Sequence, residues 1–266
     1  MNKLILFLVA MLPLFLTSCA TYHNNATGRN EIMFISPGAE ANIGRNMNTK
    51  VASQYEVSND PAYLKRINAV GARLVKNIPA RGIPYTFGVV KDKNMNAFTF
   101  PGGYVYATSG LMDRVKSDDE LAAVLAHEIG HTEARHAVKQ MEGAIGYTSF
   151  MSLASALDPR DKEKKDAEWK YLKTGTDVVF SLVNLGYSRK DEYEADRLSV
   201  KFLPMAGYDP KAILSFFEKL KQETGSKTPE WLYFLRSHPF LDERIVAARA
   251  EIDKGTSPVL EVKKPN

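Results

Sequence analysis

Apolar residues stand at helical spacing in the segment opened by Asp60-Pro61, where Leu64, Ile67, Val70, Leu74 and Ile78 form one stripe. An aspartate cap followed by proline at the first helical position marks its start. The period then changes. Over 84–91, Tyr85, Phe87 and Val89 alternate with other residues, which predicts a strand. Segments 94–100 and 104–108 read as two further strands, with Pro101-Gly102-Gly103 between them as a hairpin turn. Ser117-Asp118-Asp119-Glu120 reads as a capping box ahead of Leu121, Val124 and Leu125 at helical spacing. Downstream the pattern predicts helices over 143–157, 176–203, 209–223 (opened by Asp209-Pro210) and 240–253. The expected class is α+β, mainly helical with one small sheet.

The first residues do not belong to that pattern. Lys3, an unbroken run with apolar character over 4–16 and then Thr17-Ser18-Cys19 describe a secretory signal peptide over 1–18. Leu16-Thr17-Ser18-Cys19 resembles the bacterial lipobox, which implies lipidation of Cys19 and membrane attachment through it. Cys19 is the single cysteine, so no disulfide forms within the chain. Alanine rather than aspartate at position 20 points to the outer membrane over the inner one. Residues 19–36, rich in Asn, Thr and Gly, read as a lipidated tether, 37–254 as one folded domain, and 255–266 as a loose tail. Beyond Cys19 no apolar stretch reaches spanning length. The small, apolar stretch 143–157 reads as a buried helix or a cover near the site rather than a membrane-dipping segment. A net charge of +4, evenly spread, gives no nucleic-acid footprint, and the mixed-sign run 160–170 reads as a solvated face.

Candidate chemistry lies in His127-Glu128-Ile129-Gly130-His131. Histidines four apart on a helix share a face, so both imidazoles can reach one metal, and Glu128 leans over the adjacent position. The chain holds 5 histidines in 266 residues, so this spacing is a poor candidate for coincidence. A zinc enzyme takes a third protein ligand and leaves one position open. Ala134 and Ala137 stand where the metzincin pattern needs glycine and histidine, which excludes that arrangement. His136, about 140° around a continuous helix from His131, reads as a surface or supporting group. In the helix around Glu192-Tyr193-Glu194-Ala195-Asp196, Glu192 and Asp196 share a face and Glu194 points away. Glu192 suits a ligand, and Asp196 can accept the second N–H of a ligand histidine. A charged, solvated helix has the same spacing.

With Glu192 to Asp196, the His127–His131 motif resembles the HtpX-like and CAAX-prenyl-protease-like family of gluzincin zinc metallopeptidases. In layout it is most like the soluble lipoprotein and periplasmic members. Asn96-Ala97-Phe98 with Pro101-Gly102-Gly103, Gly110-Leu111, Tyr187-Ser188-Arg189, and Ser237-His238-Pro239 with Glu243-Arg244 carry the likeness over about 30–252. The resemblance implies a zincin-like domain with one Zn2+, ligands His127, His131 and Glu192, and Glu128 as catalytic residue. It also implies that an edge strand including Asn94, Met95, Asn96, Ala97 and Phe98 pairs with an extended peptide. The helical repeat domain of larger periplasmic relatives has no counterpart by residue 266.

Zinc lowers the pKa of a bound water, and Glu128 would take the water's proton and pass it to the leaving amine. For the oxyanion donor the candidates are His238, Arg244 and Tyr187, in which His238 ranks first. His238 equally fits a removable fourth ligand that holds the enzyme latent, or a buttress at a helix start. The expected activity is hydrolysis of misfolded or unassembled envelope proteins in the periplasm, with outer-membrane assembly machinery as a partner. Two rival readings stand beside it: an assembly chaperone that uses the fold only to bind, and a zinc amidase acting on cell-wall peptides.

Overall fold

The computed structural model describes residues 20–157, 186–224 and 234–255. The leader over 1–18, Cys19, the run 160–170, the tail beyond 255 and the first part of the helix expected over 176–203 lie outside the described residues.

The segment expected to be a tether is folded from residue 20 onward. Strands β1 (Ala20–Asn24) and β2 (Arg29–Met33) form an antiparallel hairpin with Ala20 opposite Met33 and Asn24 opposite Arg29. Its short polar residues build a turn and a cap. The Asn24 side chain accepts from the Ala26 and Thr27 amides and donates to the Glu133 carbonyl, so it fastens the hairpin to the domain. Helix α1 (Pro37–Gln54) follows, capped by Ser36 on Ala39 N with proline at its first position. Helix α2 (Pro61–Asn77) starts as expected, with Asp60 accepting from Ala62 N and Tyr63 N. Its Ile67, Val70 and Leu74 are buried, each contributing about 1.5–3 kcal/mol of burial.

The sheet has order β3-β5-β4, made of β3 (Thr86–Val90), β4 (Ala97–Phe100) and β5 (Tyr104–Thr108). β5 runs parallel to β3 and antiparallel to β4, which leaves β4 at an edge. Alternation in β3 predicts one buried face, yet both are buried. Phe87 and Val89 join the α2 side, whereas Val90 joins Met47 and Val51 of α1, an element that the hydrophobic pattern did not announce. The strand expected over 94–100 begins only at Ala97. Thr108 Oγ1 donates to the carbonyls of Asn94 and Asn96 and accepts from Asn96 N, which holds Asn94 to Asn96 in a bend before the strand.

A short helix α3 (Ser109–Arg114) leads to α4 (Asp118–Glu133), the carrier of the histidine motif. Ser117 accepts from Glu120 N, and Glu120 reaches back to Lys116 N, one residue earlier than a standard capping box. Asp118, Asp119 and Glu120 place three acids at the positive end of the helix dipole. Every residue from Leu121 to Glu133 is buried, so α4 is the central rod of the domain. Helices α5 (His136–Leu157), α6 (Arg189–Met205), α7 (Ala212–Thr224), α8 (Phe234–Ser237) and α9 (Leu241–Asp253) complete the described fold. No helix of the described residues is long and apolar enough to cross a membrane.

Among the described residues, helix α6 begins at Arg189 for a local reason. Gly186 has φ 82°, a left-handed conformation that favours glycine, and Ser188 with Asp191 forms a complete capping box. A side chain at Gly186 would meet the carbonyls of Ser237 and Arg236 at 2.9 and 3.3 Å. Glycine there lets the chain entering α6 lie directly against α8.

Candidate metal centre

The two core helices of the site cross at Gly130. A Cβ there would stand 3.0 Å from Ala195 O and 3.2 Å from Ala195 Cα, so glycine permits α4 and α6 to approach closely. That approach brings Glu192 to the histidine pair. His127 Nε2 lies 3.0 Å from His131 Nε2 and 3.6 Å from Glu192 Oε2, and His131 Nε2 lies 3.5 Å from Glu192 Oε1. His238, just past α8, enters the same cluster, its Nδ1 at 3.2 Å from His127 Nε2 and 3.1 Å from Glu192 Oε1. All four ligand atoms lie within 4.8 Å of one another, and all four residues are buried.

This donor set fits a divalent ion. Nitrogen and oxygen ligands of tetrahedral zinc lie about 2.0–2.2 Å from the metal, which puts neighbouring donors about 3.3–3.5 Å apart. The separations above straddle that value. Two imidazoles, a carboxylate and a third imidazole are also the ligand types that zinc favours.

Surrounding groups aim these side chains. His127 Nδ1 lies 2.8 Å from Asp196 Oδ1, the expected carboxylate support of a ligand histidine. Arg244, on α9, is fully buried and binds Asp196 through Nε and Nη2 at 2.7 Å each. Its Nη1 lies 2.7 Å from Glu192 Oε2 and donates to the His238 carbonyl at 3.2 Å. Burial alone would raise the Glu192 carboxyl, but His238, Arg244 and the His131 hydrogen bond outweigh it and hold it well below the ordinary range. These contacts favour the anionic form of Glu192.

Glu128 is fully buried and neither of its oxygens accepts a hydrogen bond from the described residues. The nearest basic group is His238, with Nε2 3.3 Å from Oε1. Burial raises the Glu128 carboxyl above the usual carboxylate range, against the pull of His238 and His127.

Of the three candidate oxyanion donors, Arg244 spends its polar hydrogens on carboxylates and a carbonyl. Tyr187 differs: its ring stacks on His131 at 3.9 Å, and its buried hydroxyl has no partner among the described residues. His238 stacks on Phe234 at 4.5 Å and sits within the candidate metal cluster. Expected strand residues are near as well. Asn96 Oδ1 accepts from Ser237 Oγ, Met95 O accepts from Phe234 N, and Thr99 joins Thr132 of α4 hydroxyl to hydroxyl at 2.7 Å. Thr108 N pairs inward with Asn96 O, so by antiparallel alternation Ala97 and Thr99 direct their main-chain groups to the open edge.

His136, read as a surface or supporting group, is the second of these, and Glu194 was given no part in the site. His136 is buried and lies against His131, and Glu194, which points away from the metal ligands, meets His136 and Arg29. A buried ion network also fixes the far end of α4. Glu40 pairs with Arg81 and Arg135, while Glu133 accepts from Arg81 N and Tyr85 Oη.

The Vibrio cholerae protein named putative beta-barrel assembly-enhancing protease is 35% identical over 73% of this chain and 40% of its own length. The beta-barrel assembly-enhancing protease of Escherichia coli K12 is 30% identical over 89% of the chain and 48% of that protein. The chain thus spans less than half the length of either. The metalloprotease YcaL of Escherichia coli K12 is 27% identical over 96% of the chain and 99% of that protein. The model of peptidase family M48, whose members are metal-dependent, matches residues 61–252. That span holds the clustered quartet together with Glu128, Asp196 and Arg244, and the chain belongs to peptidase family M48.

Proposed function

We propose that this chain is a zinc-dependent endopeptidase that hydrolyses misfolded or unassembled proteins of the bacterial envelope. The observation that carries the reading is the buried quartet His127, His131, Glu192 and His238 beside the unpartnered carboxylate of Glu128. His127, His131 and Glu192 would hold the zinc. Bound there, zinc supplies Lewis acidity to the scissile carbonyl and to water.

The protein's own groups do the rest. Glu128 takes the proton of the attacking water and delivers it to the leaving amine. Its burial favours this role, because a raised pKa brings a carboxylate nearer the working pH. Tyr187, with a free buried hydroxyl, donates to the developing oxyanion. Ala97 and Thr99 at the open edge of β4 pair with an extended peptide, which tolerates many sequences and selects unfolded chains. Arg244 acts behind the ligands, keeping Glu192 and Asp196 ionised and in place.

His238 closes the fourth corner and so holds a resting state; substrate access requires it to swing out. Its Nδ1, 3.1 Å from Glu192 Oε1, supports that role over the helix-start buttress. The lipobox at Cys19 supports periplasmic anchoring, in the outer membrane over the inner. The envelope substrate class draws its support from the names of the two assembly-enhancing relatives. Casein hydrolysis by the full chain tests the proposal. A chelator abolishes the activity, Zn2+ restores it, and His238→Ala hydrolyses faster than wild type. Hydrolysis that survives complete metal removal would refute the proposal, and a slower His238→Ala would refute the resting-state role.

A further inference from the structure

The two ligand histidines are supported by different devices. His127 meets a carboxylate directly, through Asp196. His131 instead meets a second histidine, with Nδ1 of His131 and Nδ1 of His136 2.8 Å apart. His136 Nε2 then faces Glu194 Oε2 at 3.4 Å and Asp191 Oδ1 at 3.6 Å. Glu194 in turn accepts from Arg29 Nη2, which lies 2.8 Å from one of its oxygens and 2.6 Å from the other, and Arg197 stands at 3.7 Å. His136 is 1% exposed and Glu194 9%, so water does not compete effectively for these contacts.

The order of protons in this series is forced. His131 presents Nε2 to the ligand cluster, so in its neutral form the proton sits on Nδ1 and is donated to His136. His136 can accept at Nδ1 only when its own proton is on Nε2, where Glu194 receives it. Each ring has one compatible tautomer, and the negative charge at the end selects it.

We propose that His136, Glu194 and Arg29 are positioning residues that fix the tautomer and ring plane of His131 for metal binding. Arg29 belongs to the N-terminal hairpin, ahead of the 61–252 span that matches the family. The hairpin is therefore a working part of the metal centre. This inference rests on the metal-site reading above.

Chelator competition for Zn2+ on the full chain, together with thermal unfolding of the metal-free protein, tests the relay. His136→Leu removes the acceptor and lowers Zn2+ affinity about 10–100-fold, the usual effect of losing a group that orients a ligand. His136→Asn places an amide oxygen near the former Nδ1 and retains most of the affinity. Arg29→Ala, at a half-exposed side chain, gives a smaller loss in affinity with the metal-free unfolding midpoint unchanged. Equal losses in the Leu and Asn variants indicate packing alone and overturn the relay, as does wild-type affinity in His136→Leu. If the Leu variant fails to fold, unchanged Zn2+ affinity in Arg29→Ala overturns the role of the hairpin. A wild-type chain that takes up no Zn2+ would sink the metal-site reading itself.

Discussion

Replacing Glu128 with Gln lowers kcat for casein hydrolysis by about 10²–10⁴-fold while leaving the bound metal and the fold in place. The size of the loss follows from the role. A positioned base that accepts a proton in the rate-limiting step contributes on this scale, and an amide of the same shape cannot accept one. The expectation that nothing else changes comes from the contacts. Glu128 is fully buried, accepts no hydrogen bond, and stands beside the cluster without supplying any of its four ligand atoms. Gln preserves its volume and removes a charge that burial opposes, so the unfolding midpoint stays level or rises. Steady-state kinetics, metal analysis and thermal unfolding on the same preparation check this. Activity within a few-fold of wild type would mean that the base is another group.

Arg244→Met destabilises the metal-free protein by about 3–5 kcal/mol, the cost of leaving a buried charge without its partner. In a domain of this size that lowers the unfolding midpoint by roughly 6–20 °C. Arg244 is the guanidinium that binds both Asp196 oxygens and lies 2.7 Å from Glu192 Oε2. Methionine fills similar space, so the loss reports charge rather than a cavity. Metal restores part of the stability, because its positive charge compensates the Glu192 carboxylate that has lost the guanidinium. The remaining deficit belongs to Asp196, which keeps only the His127 N–H. Thermal unfolding of wild type and variant, with and without Zn2+, separates the two parts. A metal-free variant within about 1 kcal/mol of wild type would contradict the buried-charge account.

The sheet and the metal helix were legible because their signals are local. Alternation, a Pro-Gly-Gly turn and a Ser-to-Glu cap each span a few residues, and the structure places β3, β5 and α4 close to where these signals stand. The pairing of His127 with His131, and of Glu192 with Asp196, was legible because helical spacing alone puts each pair on one face. Helix α1 was missed although Ser36-Pro37 is a usable start signal and Ile43, Met47 and Val51 stand four apart, since Glu40 and Gly44 interrupt the apolar character of its buried face. The hairpin was taken for a tether because a short polar turn and a flexible linker share one composition.

His136 supports the site from an angle that helical spacing does not give. Counting five residues on from His131 assumes a continuous helix, but α4 ends at Glu133 and Arg135 has φ 59°. That left-handed residue, held by Glu40 and the Ile35 carbonyl, redirects the chain and turns His136 back onto His131. A break of this kind depends on contacts about a hundred residues away, and no local pattern carries it. Arg244 was picked out, but as a donor to substrate. Its attachment to Asp196 and Glu192 depends on how α9 crosses α6, which spacing within either helix does not contain.

Metal content of the full chain, measured by elemental analysis on wild type and His127→Ala, tests the central claim most directly. The account predicts one zinc per wild-type chain, retained through dialysis, and its loss in His127→Ala. A wild-type chain without metal, or a variant that keeps its metal without His127, would contradict it.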